Sequence, residues 1–293
     1  MKNNPTHCGF VALVGRPNVG KSTLLNALLA QKISIISHKP QTTRDQILGI
    51  KTTDSLQVIY VDTPGIHMGE DKALNLYMNK LANTSMSDVD VIIFMVDATR
   101  FNAEDAQVLN LLAREKKPVI LAINKIDMLA DTNLVLPLIQ KLSLKRDFVD
   151  IVPISAKKID NIAALEEVIA AHMPAGPFLY PKDQTTDKSE KFQISELIRE
   201  KVIFQTEQEI PYSTYVEIEE IKTSEKLVEI NTIIWVERDG QKSILIGKNG
   251  ERVKKIGTQA RLEIEKLLGR KVFLRLWVKV KDNWTDNEKA FKG

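Results

Sequence analysis

Cysteine is almost absent from this chain: Cys8 is the only one in 293 residues. A single thiol excludes an intramolecular disulfide and suits a reducing compartment. Histidine is scarce too, and the four scattered residues together with Cys8 make no metal-ligand cluster. Long hydrophobic runs are missing. The longest of note, "VIIFMV" at 91–96, falls far short of the ~20 residues that a membrane helix needs. The N-terminal "GFVALVG" is short and leads straight into Arg16, so it reads as a strand rather than a signal peptide. There is no internal repeat and no low-complexity tract. A cytoplasmic globular chain is expected, long enough for about two domains with separate cores.

Net charge is only +3, but it is unevenly spread. Residues 182–237 hold 7 Lys/Arg against 13 Asp/Glu, a balance of 7 − 13 = −6. Residues 238–281 hold 13 against 4, a balance of 13 − 4 = +9. A charge run is usually a solvated face, yet a shift of this size favours a polyanion surface.

Up to about residue 175, short apolar runs alternate with amphipathic stretches. "GFVALV", "QILGIKT", "LQVIYVD", "VDVIIFMVD", "PVILAIN" and "DIVPIS" are strand candidates, with "KSTLLNALLA" and "AEDAQVLNLLAREK" among the helices between them. Such alternation predicts an α/β domain with a mostly parallel sheet and helices on both faces. "MPAGPFLYPKDQTTDKSEK" (173–191) breaks the pattern with three prolines and a polar tail. The expected division is a nucleotide domain at 1–175, a linker at 176–190 and a smaller α+β domain at 191–293. In the last, a helix with Phe192, Leu197, Ile198 and Val202 on one face precedes two strands, "YSTYVEIEEIK" and "KLVEINTIIWVER". "KSILIG", a helix with Val253, Ile256, Ala260, Ile264 and Leu267 at helical spacing, and "KVFLRLWVKVK" complete an α-β-β-α-α-β order.

"GRPNVGKS" (15–22) fits the phosphate-loop pattern G-x-x-x-x-G-K-[ST] in its required place, after a strand and before a helix. The backbone of Gly15, Arg16, Pro17, Asn18, Val19 and Gly20 can wrap a β-phosphate, aided by the positive end of the following helix. Lys21 would reach the β- and γ-phosphates and Ser22 would bind magnesium. "NKID" follows the next-to-last strand, where open α/β sheets bind ligands. Asp127 can accept from guanine N1–H and the exocyclic amine, whereas adenine offers an unprotonated N1. Asn124 can brace the loop and approach N7, the Lys125 stem covers the base plane, and Ile126 completes the loop. In "SAK", Ser155, Ala156 and Lys157 supply the other side of the base, with the Ala156 N–H aimed at O6. "QTTRD" (41–45) offers Thr43, or its neighbour Thr42, to magnesium and the γ-phosphate. In "DTPG", Asp62 would hold magnesium through water, Thr63 and Pro64 follow it, and the Gly65 N–H would touch the γ-phosphate. Loss of that phosphate releases both segments, which makes a switch. Where many GTPases place a water-orienting glutamine, this chain has Ile66, and no other residue in 66–86 is glutamine.

"IGKNGER" places Gly247 and Gly250 in a Gly-x-x-Gly turn between helical segments. Glycine lets the backbone approach a sugar-phosphate chain, while Ile246, Lys248, Asn249, Arg252, Lys254 and Lys255 border it. A groove beside such a turn accepts about four single-stranded nucleotides, as KH domains do.

These motifs together resemble the Era family, bacterial ribosome-assembly GTPases of the translation-factor-related class with a C-terminal KH-type II-like domain. The resemblance covers essentially the whole chain. It implies slow GTP hydrolysis to GDP and phosphate with magnesium, binding to the 3′ end of small-subunit (16S) ribosomal RNA, and help in maturing the small ribosomal subunit. It further implies peripheral association with the inner membrane, and a monomer is expected. In similar GTPases an asparagine placed like Asn18 helps hold potassium beside the phosphates, which makes Asn18 a catalytic candidate with Lys21, Thr43 and Gly65; a plain turn former is the other reading of Asn18. Two alternatives stay open: a binding module with negligible turnover, and a tRNA-modifying or iron-transport GTPase. The chain has neither the C-terminal cysteine nor the membrane helices that the latter pair would show.

Overall fold

The computed structural model describes residues 5–37, 45–62, 88–113, 115–206 and 214–281. Thr42, Thr43, Thr63, Pro64, Gly65 and Ile66 lie outside the described residues. Elements are numbered in chain order within these, and they divide into two compact units.

The first unit is built on a sheet of β1 (His7–Val14), β2 (Ile47–Thr52), β3 (Leu56–Asp62), β4 (Val91–Asp97), β5 (Val119–Asn124) and β6 (Asp150–Pro153), in the order β2-β3-β1-β4-β5-β6. Every adjacent pair is parallel except β2–β3. Three residues separate those two strands, too few for a crossover, so a hairpin is the only geometry open to them. Alternate residues of the central strands serve opposite faces. Val11, Leu13, Ile93 and Met95 pack with Leu24, Leu25 and Leu28 of α1 (Lys21–Leu29) and with Leu165 and Ile169 of α4 (Ile162–Ala171). Ala12, Val14, Ile92 and Phe94 pack with Val108, Leu109 and Leu112 of α2 (Ala103–Leu112) and with Leu142 of α3 (Leu136–Ser143). Continuous apolar strands thus follow from burial on both sides.

The stretch expected as a linker is largely part of this unit, which continues to Asp187. The Ile50 N–H donates to the Thr185 carbonyl at 2.9 Å and the Leu48 N–H to Asp187 Oδ1 at 2.9 Å. Gln57 Oε1 accepts from the Leu179 and Tyr180 N–H groups. An edge strand such as β2 leaves a row of N–H groups to be satisfied, and Thr185 and Asp187 meet that need. Residues 35–37 group with the second unit.

The second unit runs α5 (Glu190–Gln205), β7 (Tyr215–Thr223), β8 (Leu227–Val236), α6 (Asp239–Ile246), α7 (Glu251–Leu268) and β9 (Lys271–Val280). The elements follow the expected α-β-β-α-α-β order, and the sheet order is β7-β8-β9, antiparallel then parallel. Ile194, Ile198 and Val202 of α5 meet Ile256, Ala260 and Ile264 of α7 over Val228, Ile230 and Ile234. Phe192, expected on the core face of α5, is instead half-buried with the Lys188 ammonium over its ring at 5.1 Å. It sits in the first turn, right after the Ser189 cap, where the helix is only beginning to meet the sheet.

Candidate functional site

The loop between β1 and α1 is shaped by two close approaches. A Cβ at Gly15 would stand 2.6 Å from the Met95 carbonyl oxygen, and one at Gly20 would overlap the Asn124 amide nitrogen. Gly20 also has φ 106° and Asn18 φ 62°, left-handed values suited to glycine and asparagine. Neither glycine tolerates a side chain here, so the loop is fitted against β4 and the "NKID" strand end.

Lys21 is buried, and its ammonium donates to the Gly15 carbonyl at 2.9 Å and the Arg16 carbonyl at 3.0 Å. It threads back through the loop whose concave side would face phosphates. Burial is the main cause that lowers its pKa to about 8; nearby Arg16 lowers it too, while Asp62 and Asp105 oppose. The ordinary value is 10.5, so between pH 8 and 10.5 the unfolded chain holds more protons. The cost of burying this charge is therefore present in full below pH 8 and is relieved as pH rises to 10.5. A triphosphate beside the ammonium favours the charged form and raises the pKa. Binding at pH 8 is expected to take up about half a proton per ligand. Calorimetry in buffers of different ionisation heats measures this directly; zero uptake contradicts the arrangement.

Asp62 ends β3, fully buried, and its Oδ2 accepts from Ser22 Oγ and Ser34 Oγ, each at 2.9 Å. Its other oxygen, Oδ1, is buried with no hydrogen-bond partner among the described residues. Burial raises the Asp62 pKa, with Lys21 and the two serine hydroxyls opposing. A buried carboxylate with an orphaned oxygen beside a serine hydroxyl is an all-oxygen donor set that fits magnesium and its waters. Asn26 positions the extra hydroxyl: its Oδ1 accepts from the Ile33 and Ser34 N–H groups at 2.9 and 3.0 Å, and its amide donates to the Ser34 carbonyl at 2.7 Å. Neither Asn26 nor Ser34 falls within a recognised motif. The one available clue was a polar residue amid the leucines of "KSTLLNALLA".

At the base side, Asp127 is exposed and its Oδ1 accepts from the buried Ser155 hydroxyl at 2.5 Å. Asn124 is buried; its amide donates to the Val19 carbonyl at 2.8 Å and its Oδ1 accepts from the Ala156 N–H at 3.0 Å. It therefore ties the phosphate loop to the "SAK" loop. The Ala156 N–H expected to face guanine O6 is engaged by Asn124 here, so a base carbonyl would share it. Lys125 adopts a left-handed φ of 69° and its ammonium reaches Asp97 Oδ2 at 2.6 Å.

Asp97 and Asp105 were missed by motif reading. Arg16 Nε donates to Asp105 Oδ2 at 3.0 Å, and its guanidinium lies 3.8 Å from Asp97 Oδ2. Burial pushes the Asp97 carboxyl up, but Lys125 and the Thr99 hydroxyl and amide outweigh it and hold the group below its usual range. Asp105 also caps α2 through the Asn102 N–H. The Arg16 side chain is thus held by carboxylates on β4 and α2, while its backbone stays in the phosphate loop. A strand-terminal aspartate in "FMVDATR" was the only sequence hint.

In the second unit, a one-turn 3-10 helix at Lys248–Gly250 joins α6 and α7. Gly247, Asn249 and Gly250 take positive φ values of 74°, 51° and 77°. A Cβ at Gly247 would lie 2.8 Å from that of Arg252. Arg252 donates to the Ile244 carbonyl and so braces the turn from α7 to α6. Lys248, Asn249, Lys254 and Lys255 are exposed around it, and Ile246 is half-buried.

A family model described as a 50S ribosome-binding GTPase matches residues 10–125, and a KH domain model matches residues 209–285. The GTPase Era of Marinobacter nauticus is 52% identical over 291 residues, 99% of this chain and 95% of that protein. Among solved structures, Era in complex with MgGDPNP and nucleotides 1506–1542 of 16S ribosomal RNA matches with a TM-score of 0.94 and 42% identity, covering 98% of both chains. A single-substitution variant of Aquifex aeolicus Era bound to GDP and AlF4- matches with a TM-score of 0.94 and 41% identity, again over 98% of both. With its P-loop GTPase domain followed by a KH domain, the chain belongs to the Era family of GTPases.

Proposed function

We propose that the chain is a GTP-hydrolysing switch that binds the 3′ end of small-subunit ribosomal RNA and assists maturation of the small ribosomal subunit. The reading rests above all on one observation: a phosphate loop locked by Asn124 to the Asp127–Ser155 base pocket shares a chain with a glycine-opened basic turn. The relative crystallised with 16S nucleotides supports the choice of small-subunit RNA. The similarity to 50S ribosome-binding GTPases spans residues 10–125 alone and leaves out the KH domain, so it does not bear on the choice of RNA. Any attachment to the inner membrane is peripheral in this reading, since among the described residues no helix is long and apolar enough to cross.

Lys21 exchanges the Gly15 and Arg16 carbonyls for β- and γ-phosphate oxygens. Ser22, and Asp62 through water, would hold magnesium, which would neutralise charge on the phosphates. Thr43 and the Gly65 N–H complete the γ-phosphate contacts and are released on hydrolysis. Ile66 has no group with which to orient water, and Arg16 is committed to Asp105 and Asp97, so it does not serve as an arginine finger. That leaves charge at the transferring phosphoryl to be balanced, and potassium held in part by Asn18 would supply it.

Steady-state phosphate release in matched potassium and sodium buffers, alone and with small subunits, tests the scheme. Slow multiple turnover is expected, faster in potassium by about tenfold or more and faster again with subunits. Asn18→Ala should lose the potassium advantage. Equal rates in the two salts eliminate the potassium part; absence of multiple turnover under all conditions leaves only a binding module.

A further inference from the structure

The helices of the second unit pack on one face of its sheet, and among the described residues the β9 side chains of the other face are uncovered. Val272, Leu274, Leu276, Val278 and Val280 of β9 point into the core. The residues between them, Lys271, Phe273, Arg275, Trp277 and Lys279, point the opposite way, and all five are exposed. Phe273 is 45% and Trp277 57% accessible, large values for rings in mid-strand. At the strand rise, successive members of the row are ~6.7 Å apart and the rings ~13 Å apart. Each ring has a cation on either side. The Arg275 guanidinium lies over the Phe273 ring at 4.9 Å. Lys271 stands 3.7 Å from Glu265, while Lys279 stands 3.8 Å from the half-exposed Glu219 with its ammonium 5.8 Å over the Trp235 ring; such long pairs with exposed ammonium groups leave both cations open to a phosphate.

We propose that this row on β9 is a second RNA-binding surface, on the sheet face opposite the Gly-x-x-Gly turn. A single-stranded segment would stack bases on Phe273 and Trp277 and set its phosphates against Lys271, Arg275 and Lys279. Aromatic platforms interleaved with cations bind single strands in this way, tolerant of sequence because every base offers a π-face. The cationic row is one strand wide. On the same face, Glu229 stands beside Phe273 and Glu217 lies in register with Trp277 across Ile233. A narrow polyanion can follow β9 and avoid those carboxylates, whereas a flat anionic membrane would press on them. A second copy packed by two-fold symmetry would set this row of cations against itself. The proposal extends the RNA part of the proposed function but has its own readout.

The test uses the full chain and anisotropy with oligouridine of about 6 and about 30 nucleotides, the shorter sized for a KH groove. The double variant Arg275→Glu/Trp277→Ala is expected to lose about tenfold or more on the long RNA and nothing on the short. Trp277→Phe, which keeps a ring, should retain most of the long-RNA affinity, and thermal melting checks that each variant is folded. Unchanged long-RNA affinity in the double variant overturns the proposal, as does an equal loss on both lengths. Loss of binding to phosphatidylglycerol vesicles with RNA binding intact overturns it in favour of a lipid surface. Lys248→Asp/Asn249→Asp serves as the separate control: normal hexamer binding there contradicts the Gly-x-x-Gly site and leaves the β9 result standing.

Discussion

Asp127→Asn is expected to weaken GTP binding about 100-fold, equivalent to ~2.7 kcal/mol, while xanthosine triphosphate binds better than it does to the unaltered chain. The carboxylate is held from behind by the Ser155 hydroxyl at 2.5 Å and is otherwise exposed toward the site. Guanine presents two donors, N1–H and the 2-amino group, to that acceptor. An amide keeps one oxygen and introduces a donor that opposes the 2-amino group. Xanthine carries a carbonyl at that position and welcomes the new donor. The Ser155 contact survives because the remaining oxygen still accepts, so the loop need not rearrange. Competition titration against a fluorescent guanine nucleotide measures both affinities. An unaltered GTP constant would remove the base assignment.

Lys248→Asp/Asn249→Asp should lower RNA affinity by about 100-fold at physiological salt and flatten the salt dependence, with folding and GTP binding intact. Asn249 sits at φ 51°, a left-handed conformation that aspartate also adopts readily. Lys248 is exposed and Arg252 independently braces the turn to the Ile244 carbonyl. The variant therefore changes charge where sugar-phosphate would lie, rather than the shape of the turn. Filter binding across a salt series, paired with a melting curve, separates these effects. Full affinity in a folded variant would exclude the turn from the RNA site.

Much of the fold was legible because burial on both faces leaves a plain mark. All seven residues of "VIIFMVD" in β4 are buried, and a run of that kind admits little but a central parallel strand. The two glycine-dependent turns were equally readable, since Gly20 and Gly247 stand where a Cβ would collide. The sequence was mute where a segment's role depends on what lies beside it. Prolines and polar residues at 173–191 read as a linker, yet residues 179–187 satisfy the β2 edge and Gln57. Arg16 belongs by position to the phosphate loop, but Asp97 and Asp105 arrive from distant strand and helix ends to hold it. Ser34 reaches Asp62 only because Asn26 folds the chain after α1 back toward the site. Such pairings join residues tens of positions apart that share no motif spacing.

The central claim joins a guanine-nucleotide state to one RNA site. Ultraviolet crosslinking of the full chain to cellular RNA, followed by sequencing, in parallel with a non-hydrolysable GTP analogue and with GDP, tests it most directly. The account expects reads concentrated at the 3′ end of 16S ribosomal RNA in the GTP-analogue state and markedly fewer with GDP. Reads concentrated on large-subunit RNA, or the same 16S signal in both nucleotide states, would contradict it.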